Sequence, residues 1–411
     1  IAQATQPWNY SPMPNPKTWT TKLTLLLASS LTVMAGATVS PALPAMTKHF
    51  AGAIANPDTL TTLVKLIITM PALFIVIGSP IAGVIVDRFG RKLLLLIATF
   101  LYGLAGCSGL FLNDLMAILV GRAFLGLAVA GVMVSATTLI ADYYSGPARA
   151  AFMGLQAGSM GIGGVLFLTL GGALAQQNWH APFGIYFCAW LILPAIALFI
   201  SEPDRSVLVV DKTLGDPPAQ TLPIVIMAIV YGLTVISQIA FYLIPVHLPY
   251  FLESLVKAEP LQSGMAIALC TLFSAIASVS YGKLKQRIDF VGFLPIIFGF
   301  MGIGYLLFGQ GSTWAQVLVG LAISGIGLGI LMPNMNVWIS SAVPDAFRGK
   351  ALGGLSTALF LGQFLSPILS QPFTKSLGLG GVYTFTGAIL TILGLVFAVL
   401  KSQIRQLTHS P

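Results

Sequence analysis

The stretch GVIVDRFGRK, Gly83–Lys92, places four charges between two long apolar runs. Gly83 and Gly90 permit a close backbone approach and a turn, because glycine adopts conformations that other residues avoid. The pattern therefore predicts a tight hairpin between two helices. Asp87, a carboxylate among cations, is placed to reach the end of another helix, although a plain basic loop would explain the same charges. The cations of the stretch are Arg88, Arg91 and Lys92.

The composition is that of a membrane protein. Of the 411 residues, 56% are hydrophobic and 8% are charged, whereas about 25% of the residues of soluble proteins are charged. The 43 glycines and 25 prolines fit this class, since both are frequent in transmembrane helices. The net charge of +8 is not gathered in a basic tract, so we expect no nucleic-acid partner. The three cysteines lie in apolar segments, and no metal site, cofactor or disulfide framework is predicted.

A helix needs about 20 mostly apolar residues to cross a bilayer. The pattern predicts an all-α polytopic membrane protein with twelve such helices in two six-helix bundles. The polar, proline-rich start of the chain is not typical of a signal peptide. The predicted spans are 22–46, 60–86, 93–112, 114–140, 150–175, 181–200, 221–249, 261–284, 290–309, 313–340, 349–372 and 381–400. The predicted parts are a tail (1–21), an N-terminal bundle (22–200), a linker (201–220), a C-terminal bundle (221–400) and a second tail (401–411).

The basic residues predict the orientation, because cytoplasmic loops are enriched in lysine and arginine. With both termini in the cytoplasm, the outer loops hold only Lys48, Lys257 and Lys375. Lys65 and Arg122 fall within spans, and the other 15 of the 20 basic residues lie on the inner side. We therefore expect both tails and the linker to be cytoplasmic, with the protein in a bacterial inner membrane.

The two halves of the chain repeat at an offset of 199 residues. Gly83 falls on Gly282, and the segment LVGRAFLG, residues 119–126, falls on LVGLAISG, residues 318–325. Arg149 falls on Arg348 at the same offset. A constant offset across separated segments predicts two pseudo-symmetric bundles, an architecture that transporters use with a site between the halves.

The loop pattern, together with VGRAFLG (120–126) and VPDAFRGKALGG (343–354), resembles the major facilitator superfamily, and specifically its twelve-helix drug:proton antiporter-like branch. The resemblance covers essentially the whole chain. It implies that Asp87 contacts the start of helix eleven near Arg348 and latches the cytoplasmic side in the outward-facing state. Two features depart from the branch. Phe167-Leu168 stands where its fifth-helix signature has Gly-Pro, and the first helix carries no acid.

The ionisable residues inside the spans are both cations, and such residues usually face a protein interior or a water-filled cavity. Arg122 lies roughly 12 Å deep at 1.5 Å per residue, too deep to reach the surface, and its counterpart in the family faces the central cavity. Lys65, nearer the outer end, could either snorkel or line the outer mouth. We expect the two to share one positive vestibule, in which Lys65 carries the coupling proton. Further candidate substrate residues are Gln238, Tyr242, Asn334, Asn336 and Gln363, for each of which an interhelical hydrogen bond is the alternative.

The resemblance implies a secondary transporter that exports a small organic compound in exchange for protons, and we expect it to act as a monomer in the lipid bilayer. Uptake or exchange of a small organic anion is the alternative, favoured by the cation-only membrane interior. A non-transporting membrane sensor is a third class, less compatible with two intact halves. An enzyme is not expected, because no nucleophile–base arrangement, metal cluster or nucleotide-binding loop is visible.

Overall fold

The structure, a computed structural model, describes residues 18–203 and 222–403, and within these residues the regular elements are helices. The predicted all-helical fold is confirmed. Most of the predicted linker and large parts of both tails lie outside the described residues. The helices are α1 Trp19–Ala37, α2 Leu43–His49, α3 Pro57–Phe89, α4 Arg91–Cys107, α5 Leu115–Tyr143, α6 Gly146–Gln177, α7 Cys188–Phe199, α8 Ile224–Val256, α9 Pro260–Lys285, α10 Phe290–Gly309, α11 Trp314–Ala342 and α12 Asp345–Val399.

Three spans are built differently from the prediction. The first is broken, because α1 ends at Ala37 and a short 3₁₀ turn containing Pro41 leads into α2, where proline cannot continue a regular helix. The last two spans are joined within α12 instead of being separated by a connection. They meet at Gly378, whose φ of 72° and ψ of 175° are not helical. Counting α12 as two, the described residues contain twelve spans.

The two bundles repeat at the offset that the sequence shows. α4 and α10, α5 and α11, and α6 and α12 begin 199 residues apart in each case. Equivalent glycines allow equivalent helices to approach closely. A Cβ atom on Gly126 of α5 would lie 2.5 Å from the carbonyl oxygen of Pro71 in α3, and one on Gly325 of α11 would lie 2.5 Å from that of Cys270 in α9.

The bundles meet at one end of the molecule and separate at the other. We call the end that carries Gly83–Lys92 the hairpin end and the opposite end the distal end. Every hydrogen bond found between the bundles within the described residues lies at the distal end or just inside it. At the hairpin end, a Cβ atom on Gly154 or Gly353 would meet nothing within 4 Å. The molecule is therefore closed at the distal end and open at the hairpin end. The side-chain pairs that close it are Lys48–Glu253, Asp58–Lys375, Lys65–Gln371, Gln176–Glu259 and Thr47–Tyr250.

Candidate functional site

A cavity of about 290 Å³ lies between the two bundles, on the hairpin side of the closed distal end. Its wall is mainly apolar and aromatic, and none of the described residues that line it is charged. A larger hollow of about 880 Å³ lies on the lipid-facing side of α3, α4 and α5, but it has almost no polar group to orient a ligand. The central cavity is thus the candidate site. Its aromatic, sulfur-containing and polar lining includes Phe167, Phe241, Tyr242, Phe360, Met133, Met160, Thr38, Thr271 and Gln363.

Three of the predicted site residues come together at this cavity. Tyr242 and Gln363 line it, and the Gln363 Nε2 atom donates a hydrogen bond of 3.2 Å to Gln238 Oε1. The Tyr242 hydroxyl lies against α1, where a Cβ atom on Gly36 would come within 2.6 Å of it. The pair of amides leaves further donors and acceptors for a ligand.

The two predicted asparagines lie elsewhere in the C-terminal bundle. Asn334 is buried, accepts a hydrogen bond from the Tyr281 hydroxyl (3.3 Å) and donates one to the Phe290 carbonyl (3.2 Å). Asn336 is exposed and donates to the Met332 carbonyl of its own helix. Neither lines the cavity, and Asn334 makes the interhelical contacts that were its alternative role.

Lys65 lies in the seam between the bundles and is only 2% exposed. Its Nζ atom donates to Gln371 Oε1 at 2.9 Å and lies 5.6 Å from the centre of the Tyr250 ring. The side chain therefore does not snorkel to the surface, and it does not line the central cavity in this state.

Arg122 is buried inside the N-terminal bundle, facing the Ala181–Phe187 turn that precedes α7. Its Nη1 atom donates to the Tyr186 hydroxyl at 2.8 Å, and its guanidinium lies 4.9 Å from the centre of the Phe183 ring. The Tyr186 hydroxyl is in turn 3.4 Å from the carbonyl of Ala35 in α1. The Nε and Nη2 atoms have no hydrogen-bond partner among the described residues.

The structure does not form the positive vestibule that the sequence suggested. Lys65 and Arg122 share no partner, and neither lines the cavity. The two side chains point in different directions around the axes of their helices. Lys65 lies on the face of α3 that turns toward the other bundle, whereas Arg122 lies on a face of α5 that turns into its own bundle. Depth along a span can be estimated from sequence, but the direction of a side chain around the helix depends on packing.

The hairpin at Gly83–Lys92 is held by two acids that the sequence reasoning did not select. The Glu202 carboxylate accepts hydrogen bonds from the backbone amides of Arg91 (2.8 Å) and Lys92 (2.7 Å). It thereby caps the start of α4, a favourable position for a negative charge. Asp142 pairs with the Arg91 Nε atom at 3.0 Å. Both acids lie directly after apolar spans, and this position is the sequence feature that could have singled them out.

Gly90 fits this cap because its φ of 105° is strained for other residues, and a Cβ atom there would lie 2.8 Å from Glu202 Oε1. Gly83 faces open space, and Arg88 lies beside the Phe89 ring.

The proposed partners of the gate are not in contact in this structure. Asp87 is exposed, and among the described residues its carboxylate makes no hydrogen bond or ion pair that we find. Arg348, in the first turn of α12, donates from Nε to the Ser340 carbonyl at 2.8 Å. The prediction concerned the state in which the hairpin end is closed, and the structure shows the opposite state, so the contact stays a prediction.

A profile of the Major Facilitator Superfamily matches residues 25–247 and 230–409. The chain belongs to this superfamily. It is 27% identical over 334 residues to the bacillibactin exporter of Bacillus subtilis, covering 74% of this chain and 79% of the relative. It is 25% identical over 390 residues to the class H tetracycline resistance protein of Pasteurella multocida, covering 91% of this chain and 94% of the relative.

Solved structures of superfamily members share the fold. A bacterial homologue of the human lysosomal transporter Spinster superimposes with a TM-score of 0.78 at 14% identity, covering 96% of this chain and 99% of that one. A D-xylose-proton symporter superimposes with a TM-score of 0.75 at 15% identity, covering 92% of this chain and 97% of that one. The protein is therefore a membrane transporter of the superfamily, with twelve spans around a central cavity.

The Glu202 cap predicts local protection of the hairpin. Glu202→Ala should speed hydrogen exchange of the Arg91 and Lys92 amides by about fivefold, because a helix cap contributes on the order of 1 kcal/mol. The exchange rate of these amides in Glu202→Gln should lie between those of wild type and Glu202→Ala, since glutamine retains one acceptor oxygen. Asp114→Ala is the matched control, because Asp114 caps α5 at the other end of the bundle. Equal exchange at the start of α4 in both alanine variants, measured by mass spectrometry, would contradict the cap.

The Arg122–Tyr186 contact predicts coupled effects on stability. Arg122→Met and Tyr186→Phe should each lower the thermal midpoint in detergent, because a buried hydrogen bond to a charged group contributes about 1.5–3 kcal/mol. The double variant should lose less stability than the sum of the two single losses, since both changes break the Arg122–Tyr186 contact. Arg149→Met, at an exposed arginine, serves as control. Fully additive losses would show that the two residues act independently.

Proposed function

We propose that the protein is a secondary active transporter that works by alternating access and exports a small, lipophilic compound without a localised charge in exchange for protons. The observation that carries the proposal is the central cavity: it is open toward the hairpin end, closed at the distal end, and lined by aromatic rings, two methionines and an amide, with no charge among its described lining residues. Apolar walls with a few polar groups are typical of small-molecule sites.

The direction of transport is supported by orientation and by relatives. The hairpin end carries most of the basic residues and is therefore the cytoplasmic end. Both termini are cytoplasmic in this arrangement. A cavity open to the cytoplasm can be loaded there, as export requires. Two relatives are named for export or for drug resistance, the bacillibactin exporter and the tetracycline resistance protein, and an export role is transferred to this chain on that likeness.

Transport of an organic anion is the less supported alternative. An anion in a buried site needs a cation or several hydrogen-bond donors facing it, because burial of an unpaired charge is costly. Lys65 is sealed into the distal seam, and Arg122 faces the interior of its own bundle. The tyrosine and glutamine of the cavity suit a neutral hydrogen-bonding group better.

Gating requires the two ends of the molecule to open and close in turn. For the cavity to open at the distal end, the pairs that close that end must part and the hairpin end must close. Closure would bring Asp87 toward the start of α12, near Arg348, where a carboxylate meets the positive end of the helix. An interaction of about 0.3–1 kcal/mol at such a position is enough to bias two states that differ by a few kcal/mol.

The substrate class can be tested at Gln363. Gln363→Leu should weaken binding of an uncharged lipophilic compound by about tenfold, the effect of losing one hydrogen bond of about 1–1.5 kcal/mol. Binding is measured by fluorescence on purified protein against a panel of neutral, cationic and anionic compounds. Gln310→Leu, at an exposed glutamine remote from the cavity, is the control. Selective binding of small carboxylates with no response to neutral compounds would instead support the anion alternative.

The gate can be tested at Asp87. Asp87→Asn should increase the fraction of molecules that are open at the hairpin end. The substitution removes a charge that stabilises the closed state, whereas in the open state Asp87 is exposed. The measurement is a spin-label distance between Leu155 and Lys283, which are exposed on opposite bundles at that end. Wild type in the presence of a transported compound provides the closed reference. An unchanged distance distribution in Asp87→Asn, with unchanged transport, would remove Asp87 from the mechanism.

A further inference from the structure

The distal end is closed along two seams that the internal repeat relates but that differ in chemistry. In the seam of α6 and α9, a Cβ atom on Gly264 would lie 3.2 Å from the Gly172 Cα atom, so the backbones touch. The residues at the same positions of the other repeat, 199 residues away, are Lys65 in α3 and Gln371 in α12. These two are joined by the hydrogen bond of 2.9 Å. A contact of two glycines in one seam thus corresponds to a buried charge in the other.

A second titratable group is buried beside this charge. His247 of α8 is 1% exposed, and its Nε2 atom lies 2.8 Å from the hydroxyl of Ser370, the residue next to Gln371. Tyr250, whose ring lies 5.6 Å from Lys65 Nζ, is three residues beyond His247 on the same helix. The imidazole and the ammonium are thus both buried where α3, α8 and α12 meet, hydrogen-bonded to neighbouring residues of α12. His247 Nδ1 has no hydrogen-bond partner among the described residues.

None of the groups that we find facing His247 can neutralise a second positive charge. On α3 the charged neighbour is Lys65, whose charge acts on the imidazole. The α12 neighbours, Ser370 and Gln371, do not titrate, and the Tyr250 hydroxyl is bonded to Thr47. The carboxylates at this end have other partners: Glu253 and Asp58 pair with exposed lysines, Glu259 accepts from Gln176, and Asp114 caps α5.

We propose that Lys65 and His247 form a proton-binding site that carries one positive charge while the distal end is closed and binds a second proton when that end opens. Opening brings water, which solvates two cations that repel each other when buried together. The added proton comes from the water on that side and goes to the imidazole nitrogen that lacks one. No other bond is made or broken.

Proton binding and opening then favour each other, because linkage is reciprocal. The proposal rests on the alternating access proposed above and adds the group through which protons act on it. When one extra proton is bound in the open state, the ratio of open to closed molecules changes at most tenfold per pH unit. Acid on the distal side should open that side.

The experiment measures the distance between spin labels at Ala55 and Ser254, which are exposed on opposite bundles at the distal end. The protein is reconstituted in nanodiscs after replacement of its three cysteines, and pH is lowered from 8 to 6. We expect the open fraction to increase several-fold as pH falls.

Variants separate the two members of the site from its surroundings. His247→Gln should abolish the pH response, because the titrating group is gone. Lys65→Gln should weaken the response, because a lone imidazolium is easier to bury, whereas Lys65→Arg should retain it. His180→Gln removes a histidine outside the seam and Ser370→Ala removes the hydroxyl beside the imidazole, and both should retain the response. If His247→Gln does not fold, histidine carbon shifts in His49→Gln/His180→Gln/His409→Gln protein, in which His247 is the one histidine left of four, report the protonation of His247 directly.

The outcomes are distinct. A pH response of His247→Gln equal to that of wild type would overturn the site, and so would a flat wild-type response in protein that still opens when substrate is added. If neither pH nor any compound of the panel changes the distance at either end, alternating access itself fails. A pH response that depends on His247 supports the site even where the exported compound proves to be of another class.

Discussion

The state of the molecule depends on the contact between the two bundles at the distal end. Within each bundle, buried hydroxyls tie neighbouring helices together, as where Tyr102 donates to the Leu31 carbonyl and Tyr383 to that of Leu243. Between the bundles, the hydrogen bonds found in the described residues are confined to the distal end and the residues just inside it. Each bundle can therefore move as one body, and a change at the distal seams changes access to the cavity without unfolding any helix.

The neutrality of the cavity has a consequence for the coupling between substrate and protons. A shared carboxylate, for which substrate and proton compete, would be one simple way to exchange them. Here none of the described residues lining the cavity is charged, and the buried cation and imidazole lie in the distal seam instead. Exchange would then have to act through conformation: the substrate acts on the cavity, the proton acts on the seam, and both act on the equilibrium between two states.

The sequence predicted the architecture because the positions of the spans depend on hydropathy summed over many residues. Hydropathy located all the spans, and the constant offset of 199 residues predicted the symmetry that the helix starts confirm. The orientation of single side chains was less accessible. Arg122 and Lys65 were expected to share one vestibule, whereas Arg122 contacts Tyr186 inside its own bundle and Lys65 contacts Gln371 of the other bundle. Glu202 was missed because its position after an apolar span does not show which groups it binds, and these are the backbone amides at the start of a distant helix.

The difference between α6, the fifth span, and the antiporter signature of that span can be explained by its position in the fold. Phe167 and Leu168 stand where that signature has Gly-Pro, and the phenylalanine ring lies in the wall of the central cavity. The glycines that remain, including Gly172, pack against α9. The helix has thus kept the small residues that close one seam, while replacing the part that faces the ligand with an aromatic ring. Such a ring adds apolar contact area to the cavity wall without adding charge, which agrees with the proposed lipophilic substrate, and the glycines of the closing seam are present.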